Sequence, residues 1–295
     1  GPNGKRQVYD WKRFERTVRK LSPKTIVFSD IGPDIRWCGN ESGIAGKTNW
    51  NTLDTAGFTR GAGGPSQDTL NAGNVNGKHW IPAECDVSIR PGWFYHKTED
   101  TKVKTAEQLF ELYLKSVGRG ANLLLNVPPD GRGLIHENDS AALVGFNLLR
   151  KNAFVKNLSR QGKGYSMVDI GLRSAPNIND GKINTSDKNL PTGRGREIFI
   201  GPMEIRFKKS ILTNCVVLRE EITYGQKCKS FKLLLINDKD EILKEIRGTT
   251  IGNKRVLTFP SATVRKIKLL TGEVSGLVAI SEIEAYLIDA NLLEK

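Results

Sequence analysis

Apolar positions in the first half of the chain alternate between a helical and an extended period. Val8, Trp11, Phe14, Val18 and Leu21 fall at helical spacing, and Ser22-Pro23 closes the run; this predicts a helix over Tyr9 to Leu21. Thr25 to Phe28 is a short apolar run that stops at Ser29-Asp30 and Gly32-Pro33, the mark of a buried strand ending in a loop. Trp80 to Ile89 predicts a second strand. Thr105 and Gln108 have the Thr-x-x-Gln spacing of a capping box. The helix they open buries Leu109, Phe110, Tyr113, Leu114 and Val117, and Gly118 and Gly120 end it. Ala121 to Val127 is almost continuously apolar before Pro128-Pro129-Asp130-Gly131, as expected of a central parallel strand covered on both faces. A further helix starts near Asn138 or Asp139 and buries Leu143, Phe146, Leu149 and Phe154. Strands and helices in alternation give an α/β unit, with chemistry expected at the C-terminal ends of the strands.

The pattern changes after Gln161. Residues 171–195 are rich in Asn, Asp, Gly, Pro and Ser and read as connector. Beyond them come short runs with strand character: Glu197–Ile200, Glu204–Phe207, Asn214–Leu218, Phe231–Ile236, Glu241–Ile246, Arg255–Phe259, Val264–Leu270 and Leu277–Leu287. Turn residues separate them at intervals of roughly 8–14 residues, which predicts a β-sandwich. The expected division is 1–160 for the α/β unit and 161–295 for the sandwich.

Composition narrows the classes. No apolar run approaches the ~20 residues of a membrane-spanning helix. The net charge of +13 raises nucleic acid as a partner, but 45 Lys and Arg are scattered among 32 acids. With no basic tract interleaved with aromatics, a solvated basic surface is the reading, and no nucleic-acid partner is expected. No secretory leader stands at the start, and Gly1-Pro2-Asn3-Gly4 resembles the inside of a loop. Cys38 and Cys85 lack a Cys or His two to four residues away, so no metal site is expected. All four cysteines read as small buried thiols, and a pairing of Cys215 with Cys228 stays open.

The chemistry concentrates in Ser29 to Glu41, which holds acids, an arginine and a tryptophan within a few residues, and in Pro82-Ala83-Glu84-Cys85-Asp86-Val87-Ser88-Ile89-Arg90-Pro91-Gly92-Trp93-Phe94-Tyr95-His96. Together with Asp10-Trp11 these stretches resemble the α-L-fucosidases of glycoside hydrolase family 29, the branch selective for α-1,3/1,4-linked fucose most closely. The resemblance is specific from Gly1 to about residue 160 and weaker to the C-terminus. It implies the C-terminal part of a (β/α)8-like barrel, followed by a sandwich resembling a galactose-binding-like jelly roll. It also implies a retaining exo-α-L-fucosidase acting on fucosylated glycans without metal or organic cofactor.

Glycoside cleavage needs a proton on a poor leaving group and a second carboxylate to attack the anomeric carbon. Matched to the family motif, Glu41 is the general acid/base. Glu84 is the runner-up and Asp86 follows, although either acid could instead pair structurally with Arg90. Trp93 is the sugar-stacking candidate, and Trp37, Arg36 and His96 are expected to line the pocket or hold Glu41. His79 and His136 receive no role, and His136 is expected at the surface. Residues 42–79, rich in Gly, Asn, Thr and Ser, are expected to form a lid over the sugar. The chain departs from the family at one point. The family's nucleophile is an aspartate in a Trp-Phe-Asp-Gly motif, and this sequence has none. The resemblance therefore implies a C-terminal portion whose partner is an N-terminal fragment carrying that aspartate. The alternative is a non-catalytic carbohydrate-binding or structural fragment. Family habit implies a secreted or periplasmic location, with which triplets such as Asn157-Leu158-Ser159 are compatible.

Overall fold

The structure is a computed structural model that describes residues 4, 7–168, 171–188, 191–192 and 199–293. Helix α1 (Trp11–Leu21) starts where Asp10 accepts the Arg13 amide, as the helical spacing predicts. After it come β1 (Phe28–Ser29), β2 (Ile35–Trp37), β3 (Thr52–Leu53), α2 (Gln67–Ala72), β4 (His79–Trp80), β5 (Ala83–Ser88), α3 (Ala106–Lys115), β6 (Asn122–Asn126) and α4 (Glu137–Ala153). The capping box at Thr105 and Gln108 is formed. Four strands pair in parallel in the order β1-β2-β5-β6, while β3 and β4 form a separate antiparallel pair.

Three expectations for this half need correction. The run at Thr25 to Phe28 is not a buried strand. Pairing begins only at Phe28, and the Val27 amide is taken by the Asp34 carboxylate at 2.7 Å, which also holds Arg19. The stretch 29–41 is not one loop, because β2 lies within it. And β6 is an edge strand, not a central one: among the described residues nothing pairs with its outer side, and Leu124 stays 45% exposed. The apolar stripe of α1 is likewise uncovered, with Phe14 55% and Leu21 79% exposed.

The second half contains β7 (Gly162–Val168), β8 (Gly171–Ser174), β9 (Asp187–Lys188), β10 (Pro191–Thr192), β11 (Phe199–Ile200), β12 (Met203–Glu220), β13 (Phe231–Ile236), β14 (Ile242–Gly248), β15 (Arg255–Thr271) and β16 (Ala279–Tyr286). The segment read as connector thus holds strands of its own. Of the expected strand Glu197–Ile200, residues 197–198 lie outside the described residues. Asn214–Leu218 and Glu204–Phe207 are two ends of one strand, β12; Arg255–Phe259 and Val264–Leu270 are likewise the ends of β15. The polar breaks at Lys208-Lys209-Ser210 and Pro260-Ser261 are not turns. The two strands stay paired across them, with register shifts between Arg206 and Ile211 and between Thr213 and Cys215. Such irregularities bend a strand pair without ending it. The first half of β12 pairs with β7 and its second half with β16, so one hydrogen-bonded ladder wraps around a single core. Ile205, Leu218, Leu233, Ile267, Leu269 and Ile283 meet there.

The halves interlock through residues 47–51. The Asn51 amide donates to Gln226 Oε1 at 3.1 Å, and Gln226 Nε2 donates to the Asn49 carbonyl at 3.0 Å. The Asn49 amide donates to Thr250 Oγ1 at 3.0 Å, and Arg255 reaches the Lys47 carbonyl at 2.6 Å. Trp50 and Leu53 are buried. This part of the expected lid is therefore a packed wedge, committed to core and interface.

Candidate active site

Two chain turns at the C-terminal ends of β2 and β5 build the site. After β2, Cys38 goes inward and Gly39 takes φ +82°, where an added Cβ would stand 2.5 Å from the Gln67 carbonyl oxygen; only glycine suits both constraints. Asn40 then fastens the turn, accepting from the Ser42 amide at 3.1 Å and donating to the Ile44 carbonyl at 2.9 Å. Asn71 donates to the Cys38 and Ile44 carbonyls at 3.0 and 3.1 Å. The residue left facing outward is Glu41.

After β5, Ser88 Oγ donates to the Gly92 carbonyl at 2.7 Å. Asn126, at the end of β6, donates to both Ser88 Oγ at 3.1 Å and the Trp93 carbonyl at 2.9 Å. Trp93 is thereby aimed at the other turn, and its Nε1 donates to Glu41 Oε2 at 3.2 Å. The residue keeps 37% of its surface open. Two turns more than fifty residues apart thus bring a carboxylate and an exposed indole into contact.

Within β5, Glu84 and Asp86 alternate with buried Cys85 and Val87 and share one half-buried face. The Trp37 indole donates to Asp86 Oδ1 at 2.7 Å. Burial pushes the Asp86 carboxyl above the usual carboxylate range; the Trp37 bond opposes this and the Glu41 charge adds to it. Burial, then the Asp86 charge, pushes Glu84 up as well. Neither acid pairs with Arg90. That arginine is buried with Asp139 at 2.6 Å and Asp100 at 3.0 Å, over the Tyr95 ring.

The other candidates divide. Trp37 joins the cluster through Asp86. Arg36 does not: it is fully buried, and its guanidinium donates to the backbone carbonyls of Leu70, Ile81 and Trp50 and to Asn49. It clamps residues 49–81 onto β2 and cannot line a pocket. Burial lowers its pKa to about 10. His96 is exposed at the start of the 3₁₀ turn Lys97–Lys102, and among the described residues only its carbonyl bonds, to Arg90 and the Glu99 amide. His136, expected at the surface without a role, caps α4: its Nδ1 accepts the Asn138 amide at 3.2 Å, with Asp100 3.4 Å from Nε2. All four cysteines are free and buried, so Cys215 and Cys228 do not pair. Asn157 caps a 3₁₀ turn and Ser159 is fully buried, so that triplet is a structural cap. Sequence reasoning passed over Asn40, Asn71, Ser88 and Asn126. Of these Asn126 had a signal, a polar residue at the C-terminal end of an apolar strand.

Carboxylates and an exposed indole at the ends of parallel strands form an arrangement suited to glycoside hydrolysis. Residues 46–148 match the family model described as alpha-L-fucosidase; Glu84, Asp86 and Trp93 fall inside the match and Glu41 just before it. The chain is 34% identical over 297 residues to alpha-L-fucosidase 1 of Arabidopsis thaliana, a match covering 97% of this chain and 56% of that protein. Among solved structures, SpGH29 superposes with a TM-score of 0.86 at 28% identity, over 98% of this chain and 62% of that one. A GH29 fucosidase of Ruminococcus gnavus in complex with fucose gives 0.80 at 27% identity, over 100% and 60%. By sequence and by fold the chain is similar to α-L-fucosidases of glycoside hydrolase family 29. It spans little more than half the length of the curated relative it matches.

Proposed function

We propose that the chain supplies the acid/base half of a retaining exo-α-L-fucosidase, with Glu41 as proton donor and Trp93 as the platform for the apolar face of fucose. The observation that carries this reading is the contact between Trp93 Nε1 and the Glu41 carboxylate. It sets a proton donor beside an exposed ring at the mouth of parallel strands. As the glycosidic bond breaks, Glu41 gives its proton to the leaving oxygen; it then takes one from the water that resolves the glycosyl intermediate. In a retaining enzyme the attacking carboxylate stands ~5–5.5 Å from the acid. We assign it to residues outside these 295, on barrel strands that would extend the open sheet past its uncovered edge and cover α1. The unit of 1–160 is then the C-terminal part of a (β/α)8-like barrel. Residues 161–295 are read as a jelly-roll sandwich, on the strength of the wrapped ladder. Terminal α-1,3/1,4-linked fucose on glycans is the substrate proposed, by resemblance of motifs, and a secreted or periplasmic location is proposed for the protein on family habit.

The test uses a polypeptide that carries both these residues and the attacking strand. Glu41→Gln should abolish turnover of fucosides with poor leaving groups and spare activated aryl fucosides. Equal loss on both moves the proton donor elsewhere. An unsubstituted protein that binds fucose and cleaves no fucoside supports the non-catalytic alternative.

A further inference from the structure

Two of the four cysteines stand side by side at the foot of the turn that carries Glu41, and the chemistry proposed for that residue uses neither. Trp37 in β2 is in register with Glu84 in β5, and the Cys38 amide donates to the Glu84 carbonyl at 3.0 Å. The next residues in step on these two parallel strands are Cys38 and Cys85. Side chains alternate across a strand, so both thiols project from the face opposite Trp37 and Glu84. They are fully buried there, in a small cluster whose other members are Ala45, Ala83 and Ala121. The two thiols meet. Cys85 donates to the Cys38 sulfur, and that bond holds the Cys38 thiol below its usual pKa while pushing Cys85 above it; burial adds to the rise at Cys85. Cys38 Sγ also lies 3.5 Å from the carbonyl oxygen of Asn40, the residue before Glu41.

The other two cysteines are placed differently. Cys215, in β12, packs in the cluster around Phe110 and Ala153. Cys228 belongs to the core of the wrapped ladder, where its Sγ lies 3.4 Å from the Ser230 carbonyl oxygen. A disulfide needs Cα atoms about 4.4–6.8 Å apart, and neighbouring strands run about 4.7–4.9 Å apart. Residues in step on β2 and β5 meet that condition. The alanines around them let the two sulfurs turn toward each other without displacing a large side chain.

We propose that Cys38 and Cys85 form a disulfide in an oxidising compartment, so that one covalent bond staples the end of β2, and with it the turn carrying Glu41, to β5. The co-reactant is the disulfide of a thiol oxidoreductase. One cysteine thiolate attacks a sulfur of that disulfide and expels the other sulfur as a thiolate. The second cysteine then attacks the mixed disulfide and releases the remaining donor sulfur. Two electrons and two protons pass from the cysteine pair to the donor, which leaves as a dithiol. Both thiols are buried once the chain is folded, so the exchange takes place during folding. The bond closes residues 38–85 into a loop that includes the wedge at 47–51, which restricts the unfolded chain. Such bonds persist outside reducing compartments.

The test compares the 295-residue chain secreted into a bacterial periplasm with the same chain made in the cytosol, each alkylated in denaturant and weighed intact. Of the four cysteines, two should take up the alkyl group in the periplasmic protein and all four in the cytosolic protein. Tryptic digestion without reductant should release residues 37–47 linked to residues 79–97. Reductant should lower the Tm of the periplasmic protein by about 5 °C and leave that of Cys85→Ser unchanged. Alkylation of all four cysteines in the periplasmic protein overturns the proposal. So does a bridge that includes Cys215 or Cys228, or an equal fall in Tm for Cys85→Ser. Mass and peptide linkage are read on the unsubstituted chain, so they decide the matter even where Cys85→Ser fails to fold. Neither depends on turnover, and a negative result leaves the role of Glu41 untouched.

Discussion

A single side chain can be polar for the substrate's sake or for the backbone's, and this site contains both kinds. Arg36 serves the backbone. Removing it leaves the Leu70, Ile81 and Trp50 carbonyls buried without a donor, so Arg36→Ala should cost at least about 3 kcal/mol in denaturant unfolding. A protein of normal stability that had lost only sugar affinity would return Arg36 to the pocket. Glu84 answers to burial instead. Burial and Asp86 raise its pKa, so the fold favours its protonated form. Stability from this group is full below the unfolded glutamate pKa of ~4.3 and declines as pH rises through the native value. Glu84→Gln should therefore raise Tm at pH 7, with the gain vanishing below about pH 4, and should spare turnover if Glu41 is the proton donor. Trp93→Phe keeps an aromatic platform and loses the indole donor. A fall in kcat of about tenfold with KM little changed is expected, whereas Trp93→Ala should raise KM as well.

At the scale of elements, the same apolar pattern has two different outcomes. In α3, Leu109 and Phe110 are fully buried, while α1 buries none of its residues. Phe110→Ala should thus cost about 3–5 kcal/mol, and Phe14→Ser should leave the unfolding midpoint of this chain within about 0.5 kcal/mol. A large loss from Phe14→Ser would mean that α1 is covered in solution. Periodicity marked both helices correctly, because it records which face is apolar. It carries no information about what covers that face. The long strands β12 and β15 teach a related lesson. Their polar interruptions look like turns in one dimension, yet cross-strand pairing carries the chain through them as bends.

For the whole molecule, residues 47–51 and the loops at Gln226 and Thr250 make one mechanical body. Gln226 bonds both the Asn49 carbonyl and the Asn51 amide, so Gln226→Ala leaves two buried backbone groups unpaired, at about 1–3 kcal/mol each. Differential scanning calorimetry should give one transition for the unsubstituted chain. For Gln226→Ala it should give a lower transition that begins to separate. Two well-resolved transitions before any substitution would mean that the interface does not couple the halves.

Local information settled what local physics can settle. The helices, the capping box and the strand–helix alternation follow from spacing and from residue chemistry within a few positions, whereas the motif around Glu41 is read only through its resemblance to a known family. Only the folded chain decided which polar residues converge. Arg36 meets carbonyls up to 45 residues away, and Glu41 meets Trp93 across 52. Glu282 lies across from a turn a hundred residues earlier. Hydrogen-bond partners at such separations are set by where strands end and loops close in three dimensions, and no pattern along the chain encodes that.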